Sequence, residues 1–239
     1  LLENAKFQQH QGMLVTGSQR LLKDFLVYWL DDVEKPTVGV STYVNNRVVV
    51  YKHLIPGLGH IMLHKLTAVQ LQKFYAEQLR GGMSASRAVR LNVVLHKALD
   101  HARRLKLVGT NVAEDVELPR VDPHEGQVLN ADQAKLLLEV ARDRGLDTLL
   151  ALAVVTGMRK GEILGLRWSD INMVKSELCV SHTNAYYAGY GFVETKGKTR
   201  SSRRIIKLPA FLIDMLKSHY ELQLKIKESA GNKWVDHDF

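Results

Sequence analysis

The sequence lacks the features that mark secreted and membrane-spanning proteins. Its 239 residues include one cysteine, Cys179, which excludes an internal disulfide and is typical of a protein from a reducing cytosol. No apolar run reaches the roughly 20 residues that a membrane-spanning helix needs. The first residues, Leu1 to Asn4, have neither a basic start nor a cleavage site, so no signal peptide is expected. The absence of an initial methionine indicates a fragment or a trimmed chain.

Motifs for metal ions and nucleotides are also missing. His60 and His64 are four positions apart, but no glutamate or third ligand accompanies them, so a place in the core or on the surface is expected for both. There is no Walker loop, and the sequences Gly57-Leu58-Gly59 and Gly189-Tyr190-Gly191 are isolated turns rather than dinucleotide fingerprints. We therefore expect neither a metal ion nor a nucleotide cofactor.

Positive charge is abundant instead. The formal net charge is +8 and the isoelectric point is about 9.5, which favours a polyanionic partner, either nucleic acid or an acidic membrane surface. A helix predicted from Ser84 to Leu107 has its apolar residues on one arc and five basic or potentially basic residues on the next, with no acid among them. Solvated faces usually mix both signs, so this face favours DNA over plain solvent. The five residues are Arg87, Arg90, Lys97, His101 and Arg104.

The distribution of prolines and glycines predicts two domains. Residues 1–17 are interpreted as a linker or leader, and residues 18–118 as a helical domain. Residues 119–126 contain Pro119, Pro123 and Gly126 and form the clearest linker. The second domain takes up residues 127–239.

Periodicity and capping signals predict the main elements. Helices are expected from Ser18 to Asp31 and, after the capping box Thr67 to Gln70, up to Gly81. Residues 38–54 are rich in β-branched residues, and their propensities favour a strand, most clearly from Arg47 to Tyr51. Three strands are expected in the second domain, around Leu178 to Val180, Phe192 to Thr195 and Ile205 to Leu208, before a last helix.

One stretch, from Thr156 to Ile171, combines a turn with a charged pair. An apolar run ends at Thr156-Gly157, where glycine permits a sharp turn. Arg159 follows, with Glu162 three residues later on the same helical face. An arginine beside a tight turn, held by a carboxylate, suits bidentate capture of a phosphate. An ordinary ion pair at a helix N-terminus is the alternative.

This stretch closely resembles the first catalytic-arginine box of the tyrosine recombinases, in particular the integrases of phages and conjugative elements. The shared pattern is Thr-Gly-x-Arg-x-x-Glu-x-x-x-Leu-x-Trp-x-Asp-Ile. A second block, Lys198 to Arg204, resembles the β-hairpin lysine segment of that family. The resemblance implies a mainly α fold: a four-helix core-binding domain, then a mixed α+β partial catalytic domain with a small three-stranded antiparallel sheet. It also implies a helix at residues 38–54, which we prefer to the strand that propensity favours.

The resemblance also implies roles for individual residues. Arg159 would clamp the phosphate and Glu162 would orient it, while Lys198, or failing that Lys196, would protonate the leaving 5′ oxygen. Alternatively, the lysines would only hold the DNA backbone. Trp168 and Asp170 are expected to pack and cap where the helix meets the sheet. The predicted DNA contacts are Arg87, Arg90, Lys97, His101, Arg104, Lys196, Arg200, Arg203 and Arg204.

Other parts of the family pattern have no counterpart in this sequence. There is no His-x-x-Arg box, and Tyr186, Tyr187, Tyr190 and Tyr220 lie before the place where the nucleophilic tyrosine belongs. The chain alone is therefore expected to bind DNA but not to cleave it.

For the full-length parent, the resemblance implies site-specific recombination through a 3′-phosphotyrosine. It would act as a tetramer on two DNA duplexes in the cytoplasm of a bacterial host, with neither metal nor ATP. A chromosome-dimer resolvase of the same family is one alternative. A non-catalytic, sequence-specific DNA-binding protein is the other.

Overall fold

A computed structural model describes residues 20–122, 126–196, 204–236 and 238, with the backbone alone at 195 and 196. The chain divides into two compact units, Leu1–His124 and Glu125–Phe239. The predicted leader, residues 1–17, lies outside the described residues. Within the described ranges, none of the helices combines the length and the apolar character required to span a membrane.

The first unit is helical throughout its regular structure. Helices α1 and α2 each continue into a wider π-helical turn, Trp29–Glu34 and Val50–Leu54. A single 3-10 turn, Leu63–Lys65, precedes α4. The helices are α1 (Leu22–Tyr28), α2 (Val40–Val49), the short α3 (Ile55–Leu58), α4 (Ala68–Arg80) and α5 (Ala85–Arg104). The four predicted helices are confirmed, and α3 extends the second of them.

Helix α2 forms although its sequence favours strands. Its buried residues Tyr43, Asn46 and Val49, followed by Val50 and Leu54, recur at helical spacing. Burial of this face in the core of the unit outweighs the β propensity of the valines, which is a weak preference set by context. The preference for a helix over a strand in this segment is confirmed.

The capping box of α4 and most of the apolar arc of α5 are present as the sequence predicts. The Thr67 side chain accepts a hydrogen bond from the Gln70 N–H, and the Gln70 side chain accepts one from the Thr67 N–H, as the capping box predicts. Helix α5 buries Leu91, Leu95 and Leu99 in the same core as the apolar residues of α1. Leu105, which the periodicity places on the same arc, is half exposed because the helix ends at Arg104.

The second unit contains four helices and five strands among its described residues. The helices are α6 (Ala131–Arg142), α7 (Asp147–Thr156), α8 (Lys160–Leu164) and α9 (Ala210–Ala230). The strands are β1 (Ile171–Asn172), β2 (Glu177–Val180), β3 (His182–Tyr187), β4 (Gly191–Lys196) and β5 (Arg204–Lys207). The core lies where α7, α8 and α9 meet β2, and includes Leu152, Ile163, Leu178 and Leu212.

The strands form two antiparallel sheets rather than one. The three-stranded sheet has the order β1-β2-β5, and a separate hairpin pairs β3 with β4. A small three-stranded antiparallel sheet was predicted and is present. However, the predicted strand Phe192–Thr195 lies in the hairpin, and its place in the sheet is taken by the two residues of β1. Such a short strand has no periodicity that a sequence could reveal.

Two glycines bring α8 directly against β3. A Cβ atom added at Gly161 would lie 2.6 Å from the Thr183 Cγ2 atom, and one added at Gly165 would lie 2.8 Å from the Asn184 backbone nitrogen. Gly161 and Gly165 are four residues apart, so they share one face of the helix. The helix that follows Arg159 and its C-terminal residue Gly165 therefore lie close against β3, where a side chain on either glycine would not fit.

We predict that Gly165→Ala destabilises the second unit. The new methyl group would meet backbone atoms, which cannot rotate away, and overpacking of this kind typically costs about 1–3 kcal/mol. Gly126→Ala is the matched control, because nothing lies within 4 Å of a Cβ atom at Gly126. Urea unfolding of both variants measures the difference. Equal stability of the two variants would show that α8 can move away from β3.

Candidate functional site

The turn that ends α7 presents Arg159. Gly157 has a φ of 63°, in the left-handed region that glycine tolerates, and its N–H donates to the Ala153 carbonyl at 3.1 Å. The Thr156 hydroxyl donates to the Leu152 carbonyl and accepts from the Met158 N–H. Helix α7 thereby ends at Thr156, and after Gly157 and Met158 the chain reaches Arg159, the N-cap of α8.

Glu162 holds Arg159 at both its backbone and its side chain. The Arg159 N–H donates to the Glu162 Oε2 atom at 2.9 Å, and the Arg159 Nη1 atom donates to Oε1 at 3.1 Å. The Glu162 side chain is 6% exposed, whereas that of Arg159 is 83% exposed. The predicted pair is therefore present, with a guanidinium that faces solvent and is anchored on a buried carboxylate.

A second arginine shares this carboxylate. The Nη1 and Nη2 atoms of Arg204 donate to the Glu162 Oε1 and Oε2 atoms at 3.1 and 2.9 Å, a bidentate contact. Arg204 is the first residue of β5 and pairs with Val180 on β2. It was predicted to contact DNA, yet its two terminal nitrogens lie on Glu162. The sequence did not reveal this pairing, because the two residues are 42 positions apart and Arg204 belongs to a run of basic residues.

The two guanidinium groups keep Glu162 ionised. Hydrogen bonds from Arg204, the largest effect, and from Arg159 lower the pKa of Glu162 to about 2. Burial of the carboxylate opposes this shift but does not outweigh it. The same contact raises the pKa of Arg204. The cluster therefore contains one negative and two positive charges, with the excess positive charge on the exposed side, at Arg159.

The lysine candidates lie at or beyond the end of β4. Lys196 is the last residue of that strand and pairs with His182 on β3. The other candidates of this segment, Lys198, Arg200 and Arg203, lie outside the described residues. Lys196 and Arg204 therefore mark the two ends of the lysine segment in the described chain.

A polar network fixes the base of the hairpin. The Arg167 Nη2 atom lies 2.6 Å from the Glu194 Oε2 atom, and the His182 Nε2 atom lies 3.5 Å from Glu194 Oε1. On the other side of His182, the Ser181 hydroxyl contacts the ring Nδ1 atom at 2.6 Å and donates to Asp170 at 2.9 Å. These contacts join the loop after α8 to both hairpin strands. No motif in the sequence identified Arg167, His182 or Glu194.

Trp168 and Asp170 have the predicted structural roles. Asp170 accepts a hydrogen bond from the Arg167 N–H at 3.1 Å and so caps the turn before β1. Trp168 packs edge-on against Tyr220 and donates from Nε1 to Gln223 at 2.6 Å. Both residues thus tie the end of the arginine box to the sheet and to α9.

Other kinds of site find little support. Among the described residues, no group of three or more His, Cys, Asp or Glu side chains is placed to hold a metal ion. A cavity of about 350 Å³ in the second unit is lined mainly by apolar side chains, including Leu149, Leu152 and Leu216. Such a lining does not suit a phosphate.

The basic face of α5 is more mixed than the sequence indicated. Arg87, Arg90, Lys97 and Arg104 are exposed. However, Asp100 lies 3.2 Å from Arg104, so the expectation of a face without acids is wrong. Asp100 sits at the edge of the basic arc, one helical turn before Arg104, and a long arginine side chain reaches it.

Two members of this face are held by the fold. The Arg90 Nη2 atom donates to Asn46 Oδ1 at 2.6 Å, and the buried Asn46 donates in turn to Glu34 at 2.6 Å. His101 is half buried beside Tyr28, and its Nε2 atom is enclosed without a hydrogen-bond partner in the described structure. The position of His101 does not favour the predicted DNA contact.

Each of the two units matches a known protein family. Residues 21–79 match the domain described as "Phage integrase, N-terminal SAM-like domain". Residues 127–235 match the "Phage integrase family". The two matches follow each other along the chain, one in each unit.

Several curated proteins are similar over most of this chain. An integrase of Saccharopolyspora erythraea is 25% identical and covers 92% of the chain, and an integrase of Streptomyces ambofaciens is 28% identical and covers 90%. A XerC-like tyrosine recombinase of Caldanaerobacter subterraneus is 26% identical and covers 94%. In the other direction, the chain spans only 62%, 55% and 61% of the lengths of these three relatives.

Solved structures of integrases share the fold. The Tn1549 transposon integrase, in complex with a circular intermediate DNA, superposes with a TM-score of 0.70 at 16% identity, over 84% of this chain and 65% of its own. A lambda integrase dimer bound to a core site superposes with a TM-score of 0.58 at 20% identity. The match covers 74% of this chain and 62% of the lambda integrase chain.

We predict that Glu162 stabilises the second unit at neutral pH and that this effect is lost at acidic pH. Its pKa in the folded chain, about 2, lies below the ordinary value of 4.5, so the ionised carboxylate stabilises the fold above about pH 4.5. This contribution is lost as the pH falls from 4.5 towards 2. Glu162→Gln should therefore lower the free energy of unfolding of the second unit at neutral pH, and the difference from wild type should shrink in that window.

Urea unfolding from pH 7 down to pH 2 measures this difference. Glu139→Gln is the matched control, because Glu139 is an exposed carboxylate on helix α6 of the same unit. A difference between wild type and Glu162→Gln that stays constant across the window would contradict the charged role of Glu162.

Proposed function

This chain belongs to the phage integrase family of tyrosine recombinases, and on that premise we propose that the integrase containing it carries out site-specific DNA recombination. Its substrate is double-stranded DNA at attachment sites of a phage or integrative element. Strands are cleaved and rejoined through a 3′-phosphotyrosine, without metal or ATP. The observation that supports this proposal most is the exposed guanidinium of Arg159, anchored on the buried carboxylate of Glu162.

Arg159 serves as the phosphate clamp. When a nucleophile attacks a phosphodiester, negative charge develops on the non-bridging oxygens, and a cation already held in place stabilises that charge without reorganisation. The bond from Glu162 restricts the direction of the guanidinium, while its exposure leaves room for a phosphate. Arginine suits this task because its planar donors match two phosphate oxygens.

A lysine of the segment between β4 and β5 protonates the leaving 5′ oxygen. Lys198 is our candidate for the general acid, and Lys196 is the fallback. The support is the placement of this segment between β4, whose base is tied to Arg167 through Glu194, and β5, which begins with Arg204.

DNA is held by both units. In the first unit we assign phosphate contacts to the exposed Arg87, Arg90, Lys97 and Arg104, and in the second unit to Lys196, Arg200 and Arg203. The DNA complexes of the Tn1549 and lambda integrases support a duplex partner by analogy. A homotetramer on two duplexes, located with DNA in the bacterial cytoplasm, completes the proposal.

Two other functions are tested by the same experiments. A chromosome-dimer resolvase is favoured by the similarity to XerC-like recombinases, and it differs from an integrase in the DNA site recognised rather than in the chemistry. A non-catalytic DNA-binding protein would use Arg159 and Lys198 only as backbone contacts. Covalent attachment to DNA separates this last function from the other two.

We predict that DNA binding by this chain weakens steeply with salt. The logarithm of the binding constant should fall linearly with the logarithm of salt concentration, because each neutralised phosphate releases counterions. Replacing Arg87 and Lys97 together by Gln should make the slope shallower by about 0.9 for each phosphate that is no longer neutralised. Fluorescence anisotropy with a short duplex at several salt concentrations measures the slope.

The matched control is Lys73→Gln. Lys73 is also exposed and positively charged, but it lies on α4 beside Glu77 rather than on α5. Its replacement should leave the slope unchanged. Equal slopes in wild type and the Arg87, Lys97 double variant would remove α5 from the DNA interface.

We predict that Arg159→Ala abolishes covalent DNA attachment and keeps DNA binding. The assay uses the integrase that contains this chain, on a nicked suicide duplex carrying the attachment core site. Removal of one preorganised donor at the reacting phosphate typically lowers the rate about 10²- to 10³-fold. Lys160→Ala, which removes the neighbouring exposed charge, should cleave normally. Equal covalent product from Arg159→Ala and wild type would refute the clamp.

A further inference from the structure

We propose that Arg204 is a positioning residue for the phosphate clamp. It acts through Glu162, and it connects the arginine turn to the end of the lysine segment. This inference rests on the function proposed above, and it replaces the predicted role of Arg204 as a DNA contact.

The geometry at Glu162 requires a second donor group. Each carboxylate oxygen receives one bond from Arg159 and one from Arg204, at distances between 2.9 and 3.1 Å. The two Arg159 bonds come from a residue three positions earlier, at the start of the same short helix, so alone they would hold the carboxylate only relative to α8. The bidentate bond from Arg204 fixes it relative to the three-stranded sheet.

The gradient of exposure separates the two arginines. The Arg159 side chain is 83% exposed, that of Arg204 is 34% exposed, and that of Glu162 is 6% exposed. Arg204 thus lies behind the carboxylate and Arg159 in front of it. A phosphate arriving from solvent meets Arg159 first.

Arg204 also offsets the negative charge of Glu162 beside the phosphate clamp. A carboxylate paired with Arg159 alone would make a neutral pair, and its negative charge would repel a phosphate at the same guanidinium. With Arg204 on the other side, the cluster has a net charge of +1. The hydrogen bonds from both arginines keep Glu162 ionised, with a pKa of about 2, so the balance holds throughout the physiological range.

The position of Arg204 in the chain extends this coupling to the lysine segment. Residues Lys198 to Arg203 immediately precede it, and β5, which Arg204 begins, is paired with β2 along its length. Arg204 is therefore the first described residue after the segment that carries the candidate general acid. The same side chain contacts the carboxylate that holds the phosphate clamp.

The test compares four variants of the integrase that contains this chain: Arg204→Gln, Arg204→Lys, Glu162→Gln, and Glu162→Gln combined with Arg204→Gln. Two quantities are measured for each, the rate of covalent attachment to the nicked duplex and the salt slope of DNA binding. Lys207→Gln is the matched control, since it removes one positive charge from the same strand but pairs with Glu177.

A positioning role predicts a specific pattern. Arg204→Gln should attach about 10- to 100-fold more slowly, because a misplaced reacting group costs rates of this order, while its salt slope stays at the wild-type value. Combining it with Glu162→Gln should slow attachment no further than Glu162→Gln alone, because both residues act through the same carboxylate. Lys207→Gln should behave as wild type.

The Arg204→Lys variant distinguishes a loss of positioning from a loss of folding. A lysine keeps a positive charge beside Glu162 but cannot form two parallel bonds. Thermal melting should therefore show a folded protein, and attachment should remain slow. In the same preparations, carboxyl NMR of the Glu162 side chain should show a higher pKa in Arg204→Gln than in wild type.

Other results overturn the inference. A salt slope reduced by about 0.9 in Arg204→Gln, together with rate effects that add in the double variant, would make Arg204 a direct phosphate contact. Wild-type attachment by Arg204→Lys or Arg204→Gln would remove any positioning role. If instead Arg159→Ala still forms covalent product, the proposed function itself fails, whatever the Arg204 variants show.

Discussion

The structure of the candidate site depends on one buried carboxylate. Glu162 accepts hydrogen bonds from the backbone and side chain of Arg159 and from two nitrogens of Arg204. A buried charge without such partners would be strongly unfavourable, so the fold must bring both arginines to it. Three elements that are distant in sequence or separated by a turn, namely the end of α7, helix α8 and strand β5, therefore meet at this point. Pairing with this buried carboxylate also holds the guanidinium of Arg159 in place at the surface.

Local signals in the sequence predicted local structure well. The Thr67 capping box, the Gly157 turn and the apolar arc of α5 all depend on residues within a few positions of one another, and each is present. The arginine box also predicted the contact between Arg159 and Glu162, but it forms as an N-cap contact, because Arg159 precedes the first helical residue of α8 and Glu162 is the third residue of that helix. The β-branched segment of α2 was predicted as a helix only because the family resemblance implied it, since its residue propensities favour a strand.

Contacts between distant residues were not predictable in the same way. Nothing in the sequence distinguishes Arg204 from its basic neighbours, and only the pairing of β5 with β2 places it beside Glu162. The strand Phe192–Thr195 was assigned to the sheet because alternation reveals a strand but not its partner. On α5, the expectation of a purely basic face failed because Asp100, just outside the basic arc, contacts Arg104.

The glycines at positions 161 and 165 have a mechanical consequence. They bring α8 and the residue after it close to β3, against the Thr183 side chain at Gly161 and against backbone atoms at Gly165. Because closely packed interiors have low compressibility, a displacement of the β3–β4 hairpin would also displace the helix that carries Glu162.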